Sequence, residues 1–110
     1  MHEPVKLLLI FVNEADRWHD APLYHAVIQR LRQLNIAGAT AQAGILSFGH
    51  HKRLHQKGLL GIADDRPVTI TAVDEEQKLR TVLPVLREMV AEGLILLLDA
   101  ELIADTPTRG

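Results

Sequence analysis

The sequence of 110 residues contains no cysteine. This absence excludes disulfide bonds, thiolate zinc sites and cysteine nucleophiles. Aromatic residues make up only 4% of the chain, so it has no obvious platform on which the bases of a single strand could stack. The formal net charge of −2 is also unlike that of most nucleic-acid-binding proteins. Nucleic acid is therefore not an expected partner.

Long hydrophobic runs are missing as well. The longest wholly apolar run is Leu7 to Val12, whereas a membrane-spanning helix needs about 20 such residues. No basic segment precedes this run and no cleavage site follows it, so we expect no signal peptide. We therefore expect no membrane span and a cytoplasmic location.

What the chain does have is enough apolar material for one core. Apolar residues make up 47% of the sequence and charged residues 24%, which is ordinary globular composition. The length predicts a single domain over residues 1–110, with 105–110 as a flexible tail.

The hydrophobic periodicity predicts four strands and two helices in the order βαββαβ. The strands are expected at about 5–12, 39–46, 68–73 and 94–98, with helices at about 22–35 and from Asp74 to Gly93. Asp74 and Gln77 form a capping-box pattern at the second helix, and Pro84 predicts a kink within it. This order predicts an α+β, ferredoxin-like sandwich in which both helices cover one face of a four-stranded antiparallel sheet.

The first and last strands are apolar on both faces. In the first strand Leu7, Leu9 and Phe11 alternate with Leu8, Ile10 and Val12. Two helices can cover only one face of a sheet, and strands that are apolar on both faces are normally covered on both. The second face is thus expected to meet another copy of the chain or another protein. The alternative is that long loops of the same chain fold over it.

The connection between the second and third strands is long, basic and rich in histidine. It carries His50, His51, Lys52, Arg53, His55 and Lys57 before the chain returns at Pro67. A small domain seldom keeps a connection of roughly 18 residues unless the loop binds something or moves. This loop is the first candidate for the working part of the molecule.

An ordered set of short motifs resembles one known family. The set is Glu14-Ala15-Asp16-Arg17, Pro22-Leu23-Tyr24, Gly38-Ala39-Thr40, Gly44-Ile45, Phe48-Gly49, His55, Pro67-Val68, Val73-Asp74, Lys78 and Glu92-Gly93-Leu94. It resembles the PII-like family catalogued as domain of unknown function 190. The resemblance implies a trimer of ferredoxin-like subunits that is similar to PII signalling proteins. Those proteins bind adenine nucleotides in clefts between subunits and signal through the loop between strands two and three.

The candidate ligand-binding residues combine this resemblance with residue chemistry. They are Thr40, Gly44, Phe48, Gly49, Lys52, Arg53, Lys78 and Gly93. Glycine permits close approach of a ligand to the backbone, and lysine and arginine can neutralise phosphates. The structural alternatives are a strand bulge at the loop glycines, a packed Thr40 and solvated cations.

Residues after the first strand also have two interpretations. Glu14, Asp16 and Arg17 either form a local ion pair that fixes a turn, which we favour, or line the ligand cleft. Trp18 either covers a hydrophobic edge, which we favour, or stacks on an adenine.

The histidines permit a metal-binding alternative. His51 and His55 are four residues apart and His50 adjoins them, with His19, His25 or Asp64 as a further ligand. That alternative is a CutA-like trimer, by analogy of fold only.

A cofactor-free ferredoxin-like enzyme is the other alternative, with His19, His25 or His55 as the base. The sequence lacks a nucleophile elbow, a Walker loop and a Rossmann fingerprint.

The favoured hypothesis is a non-enzymatic homotrimeric regulator without a cofactor. It binds a small anionic effector, expected to be an adenine nucleotide, and acts on an unidentified protein target through the 47–65 loop.

Overall fold

The computed structural model of the chain describes residues 5–48 and 65–104. These residues form the elements β1 Val5–Asn13, β2 Arg17–Trp18, β3 Ala21–Pro22, α1 Leu23–Gln33, β4 Gly38–Ala43, β5 Pro67–Glu75, α2 Glu76–Met89 and β6 Leu94–Ala100. The predicted order of four long strands and two helices is confirmed. A short β2–β3 hairpin, which the periodicity did not predict, is inserted before α1.

The main sheet has the strand order β4-β5-β1-β6, and every neighbouring pair is antiparallel. In the central strand, Ile10 lies opposite Ile70 of β5 and Ile95 of β6. Both helices pack on the same face, as expected for right-handed crossovers between β1 and β4 and between β5 and β6. The predicted ferredoxin-like α+β sandwich is therefore confirmed.

The hydrophobic core lies between this sheet face and the two helices. Alternate residues of β1 and β5 point into it, and Leu8, Ile10 and Ile70 are fully buried. From the helices, Leu31 of α1 and Leu86 of α2 are buried to the same degree. Burying each such side chain stabilises the fold by roughly 1.5–3 kcal/mol. This face therefore accounts for most of the apolar burial of the described chain.

Helix α1 ends in a Schellman motif built on Asn35. Asn35 has a positive φ of 63°. Its N–H donates to the Arg32 carbonyl at 3.0 Å, and the Ile36 N–H donates to the Leu31 carbonyl at 3.0 Å. These two bonds satisfy carbonyls of the last turn, and the buried Ile36 closes the end of the helix.

The predicted start of the second helix is wrong. Strand β5 continues through Asp74 and Glu75, and α2 begins at Glu76 without a side-chain cap. The Asp74 carboxylate instead accepts the Ala37 N–H at 2.9 Å and the Glu75 N–H at 2.7 Å. Asp74 is still paired with Lys6 in the sheet, and this pairing outweighs the local capping signal. Pro84 lies inside α2, which continues through it.

The second face of the main sheet is here called the open face. In β6, Leu94, Leu96 and Leu98 keep 45%, 41% and 40% of their surface exposed in the described chain. Leu7, Leu9 and Phe11 of β1 are only partly buried beside them. The second apolar face that the sequence predicted is therefore present.

Strand β4 is shorter than predicted and ends at Ala43 rather than at residue 46. Beyond it, the side chains of Ile45, Leu46 and Phe48 are 95%, 88% and 90% exposed.

Among the described residues, no helix is both long and apolar enough to cross a lipid bilayer.

Candidate functional site

One end of the main sheet gathers the chain segments that flank the long connection. β1 ends there at Asn13, which pairs with Pro67 at the start of β5. Ala43 at the end of β4 pairs with Val68, and Leu94 at the start of β6 pairs with Phe11. We call this region the loop end. It holds two of the predicted ligand-binding residues, Gly44 and Gly93.

Gly44 closes the β4–β5 pair at the loop end. Its N–H donates to the Pro67 carbonyl at 2.7 Å. A Cβ atom added to Gly44 would lie 3.0 Å from Pro67 Cγ, which is tighter than ordinary contact. The close approach that this glycine allows is therefore an approach to the neighbouring strand, and that gives Gly44 a structural role whether or not a ligand binds.

Gly93 has an even stricter backbone requirement. Its φ is 153°, and a Cβ atom would lie 2.5 Å from the Phe11 carbonyl oxygen and 3.0 Å from Val90 Cγ1. Any other residue would need a shift of the central strand or of its own backbone. Gly93 thereby lets the chain turn from the end of α2 into β6 within four residues.

A cluster of polar contacts ties the start of β5 to the turn after β1. The Glu14 N–H donates to the Arg66 carbonyl at 2.7 Å, and the Ala15 N–H donates to Asp65 Oδ1 at 2.8 Å. The Arg66 side chain donates from Nε to Glu14 Oε1 at 3.1 Å and from Nη2 to Glu14 Oε2 at 3.2 Å. We call these four residues, 14–15 and 65–66, the clamp.

The ion pair in the clamp shifts the titration of both partners. The hydrogen bond from Arg66 lowers the pKa of Glu14 below its ordinary value. The same bond raises the pKa of Arg66. Both groups are solvent-accessible, so these shifts reflect the two-point contact rather than a buried environment.

The turn after β1 is held by its own hydrogen bonds. Asp16 Oδ2 accepts the Asn13 N–H at 3.0 Å, and the Asp16 carbonyl accepts the Leu23 N–H at 2.8 Å. Arg17 Nη2 donates to the Asp20 carbonyl at 2.8 Å in the β2–β3 hairpin. These contacts favour the structural interpretation of Asp16 and Arg17. Glu14 differs, since its partner Arg66 is distant in sequence.

Two predicted residues lie away from the glycines. Thr40 is exposed in the middle of β4, where it pairs with Thr71 on the open face. It is four residues from Gly44, or roughly 13 Å along an extended strand. Phe48 is exposed and lies beyond the end of β4. Both side chains are therefore open to solvent in the described chain.

Lys78 lies at the opposite end of the sheet. Its Nζ atom donates to the Asn35 carbonyl and lies 3.8 Å from Asp74 Oδ2. The nine residues of β5 separate this position from the loop end by roughly 26 Å. Within one chain, Lys78 is therefore not brought together with Gly44 and Gly93.

The remaining predicted ligand-binding residues, Gly49, Lys52 and Arg53, lie outside the described residues. The same is true of His50, His51, His55 and Asp64, on which the metal-binding alternative depends. Across residues 5–48 and 65–104, no group of three or more histidine or acidic side chains is placed to hold a metal ion.

A groove of about 570 Å³ on the helix side of the molecule had no counterpart in the sequence predictions. It lies between the β2–β3 hairpin, α1 and the last turn of α2. His19 and His25 line it, with Ala26, Val85 and Met89 among the other lining residues. His19 has a positive φ of 57°, and its ring meets Trp18 edge-on at 4.6 Å between centroids. The groove brings together two of the three histidines proposed as a base in the enzyme alternative.

The Glu14–Arg66 pair was also missed. Both charges were visible in the sequence, but they are 52 residues apart. Their pairing follows from the β1–β5 register, which places Asn13 opposite Pro67 and so brings the adjoining residues together. The clamp therefore follows from the strand register, and no local sequence pattern indicates it.

The fold is similar to that of solved PII-like proteins. A structure described as CPII bound to ADP, AMP and acetate, from Thiomonas intermedia K12, superposes with a TM-score of 0.65 at 17% identity, covering 92% of this chain and 90% of that chain. A structure of CPII bound to ADP and bicarbonate, from the same organism, gives a TM-score of 0.56 at 20% identity over the same shares. At these identities the likeness establishes the fold.

Sequence relatives cover nearly the whole chain. A UPF0166 protein from Aquifex aeolicus (strain VF5) is 31% identical over 98 residues, which are 89% of this chain and 92% of that protein. The UPF0166 protein MJ1524 from Methanocaldococcus jannaschii is 30% identical over 95 residues, or 86% and 87% of the two chains. Residues 5–102 match the family DUF190, described as "Uncharacterized ACR, COG1993". This chain therefore belongs to the DUF190 family and has a PII-like fold.

Proposed function

We propose that this protein is a non-enzymatic, PII-like regulator that binds an adenine nucleotide in clefts between copies of the chain. The observation that carries the proposal is the shared fold, over 92% of this chain, with structures described as CPII bound to ADP. The place proposed for such a cleft is the loop end, where four strand ends meet and where Gly44 and Gly93 lie. No cofactor is part of the proposal, and the location we propose is the cytoplasm.

The proposed assembly is a homotrimer formed through the open face. Leu94, Leu96 and Leu98 form an exposed apolar row along β6, next to partly buried residues of β1. Contiguous apolar surface of this kind marks an interaction site on a folded protein. Another copy of this chain carries the same apolar face and is always present wherever the protein is made. This supports a homo-oligomer.

The proposed ligand cleft is completed by a neighbouring copy. Thr40 and Gln42 lie on the polar part of the open face, at the edge of the sheet. An interface centred on β1 and β6 would leave this polar edge at its rim. Polar groups at the rim of an interface remain able to bind a solvent-accessible ligand. Thr40 is therefore proposed to contact the ligand from one side of a cleft whose other wall belongs to the next subunit.

The proposed output is through the 47–65 loop, most of which lies outside the described residues. The segment that leads from β4 into this loop supports a docking role, because Ile45, Leu46 and Phe48 present exposed apolar side chains there. Buried apolar and aromatic side chains are the usual anchors of a protein interface. The protein target is not identified by any of these features.

The proposal is tested by calorimetric titration of the protein with ATP, ADP and AMP, together with light scattering. We expect saturable binding of at least one nucleotide, a stoichiometry of one per chain and the mass of a trimer. Absence of heat for all three nucleotides at millimolar concentration would overturn the nucleotide proposal. A stable monomer at micromolar concentration would overturn the cleft between copies.

A further inference from the structure

Arg66 is held at the loop end by its backbone while its side chain reaches solvent. Its carbonyl accepts the Glu14 N–H at 2.7 Å, and the next residue, Pro67, starts β5. The neighbouring Asp65 carboxylate accepts the Ala15 N–H. The Arg66 side chain nevertheless keeps 54% of its surface exposed. Its position is therefore fixed without the guanidinium being buried.

The contact that Arg66 makes with Glu14 has the geometry of oxyanion recognition. Nε and Nη2 donate in parallel to the two carboxylate oxygens at 3.1 and 3.2 Å. The same edge of a guanidinium binds phosphate oxygens in this two-point manner. Glu14 is 34% exposed, so a ligand in solution can reach both partners of the pair.

Arg66 differs in its surroundings from three other described cations, Arg17, Lys6 and Lys78. Arg17 is turned to the Asp20 carbonyl of the hairpin. Lys6 pairs with Asp99 and Lys78 with Asp74, both at the far end of the sheet. Arg66 adjoins Pro67, whose carbonyl accepts the Gly44 N–H, so of these four cations it is the one next to the strand pair that Gly44 closes.

We infer that Arg66 binds the oxyanion of the ligand, and that Glu14 occupies its guanidinium until a phosphate group replaces the carboxylate. The inference rests on the proposed nucleotide site and names one residue that binds a phosphate group of the nucleotide. An exposed ion pair is weak because water and salt screen it, so the carboxylate can be displaced. A phosphate carries more charge than a carboxylate and makes the same two parallel bonds.

If Glu14 and a phosphate compete for Arg66, replacing Arg66 and replacing Glu14 should have opposite effects on ligand binding. We expect Arg66→Gln to weaken ADP binding by roughly 10- to 100-fold, because a charge-assisted contact is lost. We expect Glu14→Gln to tighten it by roughly 2- to 5-fold, because the competing carboxylate is removed. Arg17→Gln is the matched control at a neighbouring arginine, and it should change the affinity by less than about 2-fold.

Titrations with different ligands identify which chemical group Arg66 contacts. Calorimetry with adenosine should show the same affinity for the wild type and for Arg66→Gln, since adenosine has no phosphate. Inorganic phosphate distinguishes a free oxyanion from a nucleotide phosphate: if phosphate alone binds with the same dependence on Arg66, the site is for a free oxyanion. Nuclear magnetic resonance of the Arg66 Nε–H should show a shift on addition of ADP and none with adenosine.

Three results separate failure of the inference from failure of the proposed function. If the wild type binds ADP and Arg66→Gln binds it equally well, the inference is overturned and the nucleotide site stands. The same holds if both single variants weaken binding by equal factors, because that is the behaviour of a structural clamp. If the wild type binds neither ADP nor phosphate, the proposed function fails and takes the inference with it.

Discussion

The two faces of the main sheet carry similar apolar side chains but have different surroundings. On the helix face, the row across β6, β1 and β5 consists of Ile95, Ile10 and Ile70, and the last two are fully buried. On the open face, the neighbouring row begins with Leu96 and Leu9, and Leu96 is 41% exposed. The side chains alone do not determine burial, since what packs over them differs.

The open face also changes character across the sheet. Leu96 and Leu9 are followed in the same row by Thr71 of β5 and Thr40 of β4. The row beside it ends at Gln42, opposite Thr69. The apolar patch therefore lies mainly on the β1–β6 half, with Val73 of β5 beside Leu7 as its extension, and the β4 edge is polar. A partner that covers the patch would leave the β4 edge accessible, which is where Thr40 is proposed to contact the ligand.

The largest expected effect is on the helix face. Leu8 is fully buried there, so Leu8→Ala removes buried apolar surface and leaves a cavity. We expect the free energy of unfolding to fall by roughly 2–5 kcal/mol, measured by urea denaturation.

The matched variant on the other face is Leu96→Ala. In a single chain it removes a side chain that is already partly exposed, so it should cost clearly less at protein concentrations where the protein is monomeric. At higher concentration the cost should increase, because the proposed interface between copies would bury the same side chain. Equal losses for both variants at every concentration would mean that the chain covers its own open face.

The second effect is on assembly rather than on folding. Leu96→Asp places a charge in the apolar half of the open face, and burying an unpaired carboxylate between copies is strongly unfavourable. We expect light scattering to report a monomer, while circular dichroism keeps the α+β signal of the wild type. Gln77→Asp adds the same charge to an exposed position in the first turn of α2 and should leave the mass unchanged. An unchanged mass for Leu96→Asp would place the interface elsewhere.

The sequence was sufficient to predict the fold because the alternation of apolar residues identifies strands, and helical periodicity identifies α1 and α2. Leu8, Ile10 and Val12 on one side of β1, with Leu7 and Leu9 on the other, already indicated two apolar faces. The failures were local. Asp74 had the signal of a helix cap, but its pairing with Lys6 keeps it in β5.

The candidate site was harder to predict because it depends on contacts between distant residues. Gly44 and Gly93 were selected as ligand residues, and each has a steric reason set by a neighbouring strand. Lys78 was grouped with them, although β5 separates it from the loop end. Arg66 was not selected, since its partner Glu14 is 52 residues away and only the register of β1 and β5 brings the two together.

The smallest expected effect is on thermal stability and concerns the clamp, which lies at the loop end of the sheet. The pKa of Glu14 in the folded chain lies below the ordinary 4.5, because Arg66 stabilises the carboxylate. A depressed folded pKa means that the stabilisation is fully present above the unfolded value and is lost as the pH falls through the folded one. Wild type and Glu14→Gln should therefore differ slightly in melting temperature at pH 7 and converge as the pH falls below about 4. Asp99→Asn should behave in the same way, since Lys6 lowers the pKa of Asp99 at the other end of the sheet. A difference for Glu14→Gln that persists undiminished at pH 2 would mean that the carboxylate charge is not what stabilises the clamp.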